Sequence, residues 1–233
     1  MNKFYKIFIF LSLIMGASSA HALEGDLSLK VGLSGTVTEL DASGEELTGL
    51  DPQTKNTRTE KLFGAYAQAF AELELKSVSI GISRSQDLES ETVENKRGTT
   101  DGSGDQGTNK VQVDITDIYT VYAKIDLDFL AIPTGNLFIR GGMISADLIT
   151  NENLATGSTY ENASLDGYMG GIGYENDLPV GDGLFVRAEL SHTQFDPISL
   201  VSQTISSDKG PKNRIKVDSL EGQALTISVG KAF

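Results

Sequence analysis

Apolar and polar residues alternate with a period of two along eight segments of this chain, and this pattern constrains the fold more than any other feature. Successive side chains of a β-strand point to opposite faces, so the alternation indicates strands with one apolar and one polar face. The segments are approximately 27–37, 62–76, 78–85, 117–130, 136–149, 164–176, 184–195 and 223–233. Because helical periodicity is scarce, the sequence predicts an all-β fold.

The fifth segment changes its pattern partway along. Leu137 and Ile139 lie on one face, whereas Ile144 and the apolar residues after it lie at positions of the other parity. A β-bulge inserts one extra residue into a strand and switches its faces. The pair Gly141-Gly142 is the expected position of such a bulge, because glycine in a strand often marks one.

The connections between the segments alternate strictly in length. Short, turn-rich connections lie near Lys76-Ser77, at Pro133 to Asn136 and at Asp177 to Gly183. Long polar connections span about 38–61, 86–116, 150–163 and 196–222. In a single up-and-down antiparallel transmembrane β-barrel of about eight strands, this places every short turn at one end and every long loop at the other. Outer-membrane barrels have this asymmetry, with short periplasmic turns and long extracellular loops.

The N-terminus has the pattern of a secretory signal peptide. Lys3 and Lys6 precede an apolar run from Ile7 to Met15, and Ala20-His21-Ala22 is a small-x-small cleavage site. The apolar run is shorter than the ~20 residues that a transmembrane helix needs. We therefore expect residues 1–22 to be the signal peptide and residues 23–233 to form one barrel domain.

Charge and composition exclude several classes of partner. The formal net charge is −13, which argues against nucleic acid as a partner because phosphate binding needs clustered Lys and Arg. The chain has no cysteine, so a disulfide framework and thiolate metal sites are excluded. No P-loop, dinucleotide fingerprint or zinc motif occurs, and we expect no cofactor.

The last segment carries a recognisable pattern. Leu225, Ile227 and Val229 alternate and Phe233 follows, which resembles the C-terminal signature of bacterial outer-membrane barrels; Lys231 departs from it, since the family usually has an apolar or aromatic residue there. The whole mature chain resembles the small eight-stranded barrels of the outer membrane protein A-like and opacity-type superfamily. The resemblance implies a Gram-negative outer-membrane location and a last strand read by the barrel-assembly machinery. It also implies periplasmic chaperones and lipopolysaccharide as partners. No segment like a peptidoglycan-binding domain follows this strand, so we expect the barrel alone.

Charged residues occupy the face that this alternation turns inward. The predicted lumen charges are Lys30, Glu72, Glu74, Lys124, Asp126, Asp128, Arg140, Arg187 and Glu189. An eight-stranded barrel is just wide enough for side chains to fill, and isolated buried charges are costly, so these groups must pair. Two interpretations stay open. The charges form a salt-bridge network that fills the lumen, or they line a narrow gated pore.

An enzymatic site is not predicted. His192, the one histidine outside the signal peptide, neighbours Ser191, but adjacent residues of a strand point to opposite faces and cannot readily form a nucleophile–base pair. In the second long connection, the stretch Asp101 to Asp105 faintly resembles a calcium loop but lacks the distal glutamate. Weak attraction of divalent cations and a merely solvated acidic surface both remain open.

The sequence therefore predicts an integral outer-membrane surface protein whose acidic extracellular loops serve envelope integrity, adhesion or surface recognition. The extracellular ligand is not specified. A small channel for ions or small solutes is the main alternative, and a secreted lipocalin-like barrel is disfavoured by the outward apolar faces. In the fourth connection, Lys209, Lys212, Arg214 and Lys216 either meet lipopolysaccharide phosphates or solvate the loop.

Overall fold

The computed structural model describes residues 27–47, 55–85, 92–95, 109–130, 132, 135–153, 160–179, 182–202 and 214–233. The strands are β1 (Leu27–Leu47), β2 (Lys55–Leu75), β3 (Val78–Ser85), β4 (Thr92–Asn95), β5 (Asn109–Asp126), β6 (Asn136–Asn153), β7 (Ala163–Asp177), β8 (Leu184–Phe195), β9 (Ile198–Val201) and β10 (Arg214–Ala232). Asp128–Leu130 form one turn of 3₁₀ helix. Among these residues no helix is long and apolar enough to cross a membrane.

The strands form one antiparallel sheet that closes on itself. β1 pairs with β2 on one side and with β10 on the other. The ring runs β1-β2-β3-β5-β6-β7-β8-β10, whereas β4 pairs with β5 and β9 with β10 outside it. The predicted all-β up-and-down barrel of eight strands is confirmed, and closure gives each ring strand two neighbours, as backbone in lipid requires.

The register around the ring measures the stagger of the strands. Directly paired residues lead from Leu27 once around the barrel and back to β1 at Val37, ten residues further along. The row passes through Leu75, Val78, Ile125, Ile139, Ile172, Leu190 and Leu225. With strands ~4.8 Å apart and a rise of ~3.3 Å per residue, this stagger corresponds to a tilt of about 40°.

The outer wall of the barrel is apolar. The aliphatic spiral from Leu75 to Val37 belongs to a wider belt in which large apolar side chains are exposed, for example Ile80 at 67% and Met143 at 64%. Soluble monomers rarely expose so extensive an apolar surface. An outward apolar band about 25 Å tall is the lipid-facing surface of transmembrane barrels.

Several strands extend into the segments predicted as long loops. β1 continues to Leu47 and β2 begins at Lys55, so much of the predicted connection 38–61 is paired strand. β10 likewise begins at Arg214 rather than near Gln223. Backbone pairing continues beyond the belt, where the outward strand face is no longer apolar and the alternation seen in the belt is lost from the sequence.

The predicted bulge at Gly141-Gly142 is wrong. β6 pairs with β5 and β7 without a register shift at this point, with Gly141 outward and Gly142 inward. Ile144 and Leu148 therefore share the inward face of Phe138 and Arg140, and both are buried. The apolar residues move to the inward face here because the interior of the barrel is filled by apolar side chains at this level. Beyond the belt the outside is wet and the inside of the barrel is dry.

A bulge does occur on the partner strand. The register between β5 and β6 shifts between Thr116 and Tyr119, and Asp117 adopts a left-handed φ of 50°. The carboxylate of Asp117 accepts a hydrogen bond from Arg84 Nη2 at 2.8 Å. This extra residue turns both Ile115 and Ile118 inward, where they are buried.

Candidate functional site

A layer of paired charges fills the part of the lumen nearest the short turns. Arg187 on β8 donates to both oxygens of Glu72 on β2, with Nη1–Oε1 at 2.7 Å and Nη2–Oε2 at 2.8 Å. It also donates from Nε to Glu175 Oε2 at 2.9 Å. Tyr122 donates its hydroxyl to Glu72 Oε1 at 2.8 Å. All four side chains are buried, so the arginine holds two buried carboxylates at the centre of the barrel.

Two lysines complete this layer. Lys30 Nζ lies 2.6 Å from Glu175 Oε1 and 2.7 Å from Glu74 Oε2. Lys124, which is 0% exposed, donates to Asp126 Oδ1 at 2.8 Å and Oδ2 at 3.0 Å. Glu175 therefore lies between Lys30 and Arg187. The Lys124 Nζ atom also lies 3.6 Å from Glu175 Oε2. Each cation has at least one carboxylate within ion-pair distance, as burial of charge requires.

Aromatic rings surround the central guanidinium. The Arg187 Cζ atom lies 5.2 Å from the ring centroids of Phe70 and Phe138 and 5.4 Å from that of Phe185. These distances suit cation–π attraction, which is strongest when the cation is removed from water. The Phe138 ring lies over Gly173, where a Cβ would be 2.2 Å from its Cζ atom. Glycine beneath such a ring leaves room for it beside the arginine.

A second, less complete ion pair lies beside the first. Arg140 Nη2 is 2.7 Å from Glu189 Oε1. The two groups are not aligned for a hydrogen bond at this contact. Arg140 Nε and both Glu189 oxygens have no hydrogen-bond partner among the described residues. The Arg140 guanidinium also stacks over the Tyr122 ring at 4.5 Å. Three polar atoms of this buried pair are therefore without a hydrogen bond among the described residues.

The structure places eight of the nine predicted lumen charges inside the barrel. Asp128 is the exception. β5 ends at Asp126, and Asp128 begins the 3₁₀ turn, is exposed, and accepts a hydrogen bond from Ser77 at 2.5 Å. The placement of Asp128 in the lumen was therefore wrong, because the alternation was continued past the end of the strand.

Sequence reasoning missed Glu175, a central carboxylate of the network. The residue shares the parity of Gly171 and Gly173 on β7, and the structure turns this face inward. The alternation places Glu175 on this face, but the glycines before it carry no side chains, so the face was not recognised as polar.

Two further layers of side chains fill the lumen beyond the charged layer, away from the short turns. A hydroxyl layer follows, in which Thr36 and Thr226 hydroxyls lie 2.9 Å apart and Ser228 donates to Ser34 at 3.0 Å. An apolar cluster then fills the end of the lumen farthest from the short turns. Its buried members are Leu40, Ile115, Ile118, Ile144, Ala146, Leu148, Leu165, Phe195 and Leu220. The described interior is thus occupied by charged, then hydroxyl-bearing, then apolar side chains.

Two concave surfaces lie outside this packed interior. At the end with the short turns, a polar vestibule of about 420 Å³ opens onto Lys30, Glu74, Asp126 and Glu175. On the outer wall, a shallow, open groove of about 720 Å³ lies beside His192 and includes Leu190, Leu225 and Val37. Among the described residues, no group of three or more His, Asp or Glu side chains is arranged to hold a metal ion.

The C-terminal segment closes the barrel. Leu225, Ile227 and Val229 face outward at 44%, 55% and 52% exposure. The Phe233 N–H donates to the Leu29 carbonyl at 2.9 Å. Lys231, the departure from the expected pattern, places its Nζ 4.9 Å from the centroid of the Phe233 ring.

Charged residues follow the belt on the side away from the short turns. Lys61 lies two residues beyond Phe63, pairs with Glu39, and is 3.3 Å from Asp41 Oδ1. Hydrogen bonding to these two carboxylates raises the pKa of the Lys61 ammonium above its usual value. The predicted signal peptide, the stretch Asp101 to Asp105, Lys209 and Lys212 lie outside the described residues.

A closed ring of eight strands, an apolar outer belt and a filled polar lumen define this chain as a small β-barrel of the outer-membrane type. No protein-family model matches the sequence, and no curated protein matches it. Among solved structures it is similar to the outer membrane protein OprG from Pseudomonas aeruginosa. That similarity has 11% identity and a TM-score of 0.59, over 91% of this chain and 99% of OprG. It shows a shared barrel fold.

A weaker similarity is to Neisserial surface protein A, with 11% identity over 85% of this chain and 97% of that one and a TM-score of 0.36. Another is to the attachment invasion locus protein Ail of Yersinia pestis. Ail was solved with a heparin analogue; its identity is 10% over 87% of this chain and 99% of Ail, and its TM-score is 0.36.

Proposed function

We propose that this chain is an integral outer-membrane surface protein of a Gram-negative cell, in which the barrel anchors four extracellular loops. The observation that carries the proposal is the combination of an apolar outer belt with a filled lumen. The belt, which includes Ile80 and Met143, suits lipid on the outside. The interior is packed with paired charges and an apolar cluster, so the barrel serves as an anchor.

The role is one of envelope integrity, adhesion or surface recognition, exerted through the loops. Support comes from the extended hairpin of β1 and β2, which carries the charged ladder of Glu39, Asp41 and Lys61 beyond the belt. Basic residues near the outer edge, among them Arg214 and Lys216, suit the phosphates of lipopolysaccharide. The barrel-assembly machinery and periplasmic chaperones are the partners for its delivery.

A non-enzymatic role is part of this proposal. His192 faces outward and its Nε2 lies 3.9 Å from Glu221 Oε2, whereas Ser191 lies on the opposite face of β8. A serine–histidine pair for acyl transfer needs the two side chains within hydrogen-bond distance of each other.

Fractionation and gel mobility test the proposal. We expect the protein in the detergent-extracted outer membrane, and we expect unboiled and boiled samples to migrate differently. Recovery from the soluble periplasm, or identical mobility of the two samples, would refute the proposal. Expression without residues 1–22 should leave the protein in the cytoplasm if these residues are the signal peptide.

A small channel is the second candidate, and the periplasmic vestibule favours it. The vestibule is lined by Lys30, Glu74, Asp126 and Glu175. The lumen network behind it has five carboxylates and four cations, so a leak would favour cations weakly. These are Glu72, Glu74, Asp126, Glu175 and Glu189 with Lys30, Lys124, Arg140 and Arg187. Planar-bilayer conductance separates the two functions. Conductance near zero supports the anchor, and stable single-channel steps that Arg187→Ser enlarges support the channel.

A further inference from the structure

The part of β2 farthest from the short turns forms an open edge of the sheet. β2 pairs with β1 along its whole length, and its residues 68–75 also pair with β3. Within the described part of the chain, no strand pairs with residues 55–67 on the side away from β1, and β4 is bonded to β5 instead. An open edge presents backbone N–H and C=O groups without partners. Residues 55–61, here named the β2 edge, lie beyond the apolar belt and span about 20 Å of strand.

Proline and β-bulges, two features that prevent further pairing at a sheet edge, are absent from the β2 edge. Its register with β1 is unbroken from Lys55 to Leu75. β9, the strand at the other edge of this sheet, is four residues long and follows Pro197. The β2 edge is therefore the better template of the two for an added strand.

Both faces of the β2 edge are accessible. Lys55, Asn56, Thr57, Arg58 and Thr59 are exposed in succession. Because successive side chains point to opposite faces, neither face is packed against another layer at this level. A strand added to the β2 edge therefore displaces no packed side chains.

Arg58 determines which side chain an added strand can place beside it. Its side chain is 59% exposed, and its Nε lies 2.5 Å from Glu60 Oε1 on the same strand. Directly opposed side chains of neighbouring strands attract when their charges are opposite and repel when they are alike. A carboxylate of the added strand is therefore favoured opposite Arg58, and a lysine or arginine is disfavoured.

We propose that the β2 edge binds an extended segment of another protein as an additional antiparallel strand, with a carboxylate of that segment opposite Arg58. Backbone hydrogen bonds to the open edge supply the affinity, because another extended backbone matches the alternating N–H and C=O groups. The inference rests on the proposed role in surface recognition, and it names the surface and the class of partner for that role.

A second copy of this chain does not fit the β2 edge. Two copies in one membrane are related by an axis along the membrane normal. Their β2 strands would then run in the same direction and, with a tilt of about 40° each, cross at about 80°. Neighbouring strands of a sheet are rotated by only ~20–25° relative to each other, so the two edges could not pair.

The test uses short synthetic peptides of alternating threonine and valine. One carries glutamate at its centre, and one carries lysine there. A third repeats the glutamate peptide with every backbone nitrogen methylated, which leaves its charge unchanged and blocks strand pairing. Amide hydrogen exchange of the full-length protein in detergent, resolved by NMR, reports pairing at residues 55–61.

We expect the glutamate peptide to slow the exchange of alternate amides in the β2 edge by about tenfold or more, because those amides gain backbone partners. The methylated peptide should leave the exchange unchanged. Equal effects of these two peptides, or no effect of either, overturn the inference. Slow exchange of every amide of the β2 edge in the free protein also overturns it. In that case another segment of this chain occupies the edge, or a second copy does if dilution restores fast exchange.

Two charge reversals test the contact at Arg58. The wild type should bind the glutamate peptide about fivefold more tightly than the lysine peptide, and Arg58→Glu should reverse this preference. Arg84→Glu replaces an exposed arginine of β3 outside the β2 edge, so this matched control should keep the wild-type preference. The same preference in all three proteins overturns the assignment of Arg58.

Binding to intact cells separates this inference from the proposed function. Labelled glutamate peptide should bind cells that produce the wild type more than cells that produce Arg58→Glu. Binding by the purified protein with none by intact cells contradicts the proposed surface location instead. Heat-modifiable mobility of each variant shows that its barrel is folded.

Discussion

Arg187 joins Glu72 across the lumen by two parallel hydrogen bonds of 2.7 and 2.8 Å, although β8 and β2 are not neighbours in the sheet. The same guanidinium holds Glu175. We expect Arg187→Leu to lower the free energy of unfolding by about 3–5 kcal/mol, because two carboxylates would stay buried without their main cation. Urea unfolding of the protein in lipid vesicles measures this.

An exposed arginine provides the control for that prediction. Arg84 pairs with Asp117 at 2.8 Å on the outer wall, with 68% of its side chain exposed. Arg84→Leu should cost less than about 1 kcal/mol, since exposed ion pairs contribute little. If the two variants were equally destabilised, the lumen network would not be what stabilises this barrel.

Much of the fold could be predicted from the sequence, and its failures share a cause. Alternation located the eight ring strands, because lipid outside and polar side chains inside impose opposite demands on the two faces of each strand. It failed at Ile144 and Leu148, where the dry cluster inside the barrel reverses those demands. It failed again at Asp128, where the strand had already ended.

The partners within the candidate site could not be read from the sequence. Glu72 and Arg187 are 115 residues apart in the chain, and only ring closure with its stagger of ten residues brings them together. Parity predicts that a charge faces inward, but it does not give its height in the barrel.

Gly173 provides a test of the packing around Arg187. We expect Gly173→Ala to cost about 1–3 kcal/mol, because its Cβ would lie 2.2 Å from Phe138 Cζ and 2.6 Å from the Ala188 carbonyl oxygen. Gly141→Ala, whose Cβ would have open space on the outer wall, should change stability by no more than about 0.5 kcal/mol. Equal unfolding midpoints for the two variants would contradict this assignment of close packing.

The Arg140–Glu189 pair should be replaceable. Its atoms approach to 2.7 Å but leave Arg140 Nε and the Glu189 oxygens without hydrogen bonds among the described residues. We expect the double variant Arg140→Met/Glu189→Leu to be within about 1 kcal/mol of the wild type, because it removes two poorly compensated buried charges together. Each single variant should be less stable than the double. A double variant less stable than both singles would show that the pair stabilises the barrel.

The extended β1–β2 hairpin should respond to alkaline pH. Hydrogen bonding to Glu39 and Asp41 raises the pKa of Lys61 above its usual 10.5. A raised pKa means that the contribution of this lysine is complete below about pH 10 and is lost as the pH rises through the raised value. Spin labels on β1 and β2 should report loosening of the hairpin above that pH while the barrel stays folded. In Lys61→Gln the loosening should be weaker, and an unchanged response in that variant would assign it to another group.

Closure by the last strand should limit assembly in the cell more than stability in the test tube. Phe233 exchanges backbone hydrogen bonds with Leu29 in both directions, at 2.9 and 3.2 Å, and its ring lies under Lys231 Nζ. Phe233→Ala keeps the backbone bonds but removes the aromatic group that the resemblance assigns to the assembly machinery. We expect a several-fold lower yield of heat-modifiable protein in the outer membrane, with refolding into vesicles nearly unchanged.

Lys231→Phe should raise the yield, because it restores the apolar residue usual at this position. Phe129→Ala, in the 3₁₀ turn with 80% of the side chain exposed, is the matched aromatic control and should assemble normally. A cellular yield for Phe233→Ala equal to that of Phe129→Ala would show that the terminal ring is not read during assembly.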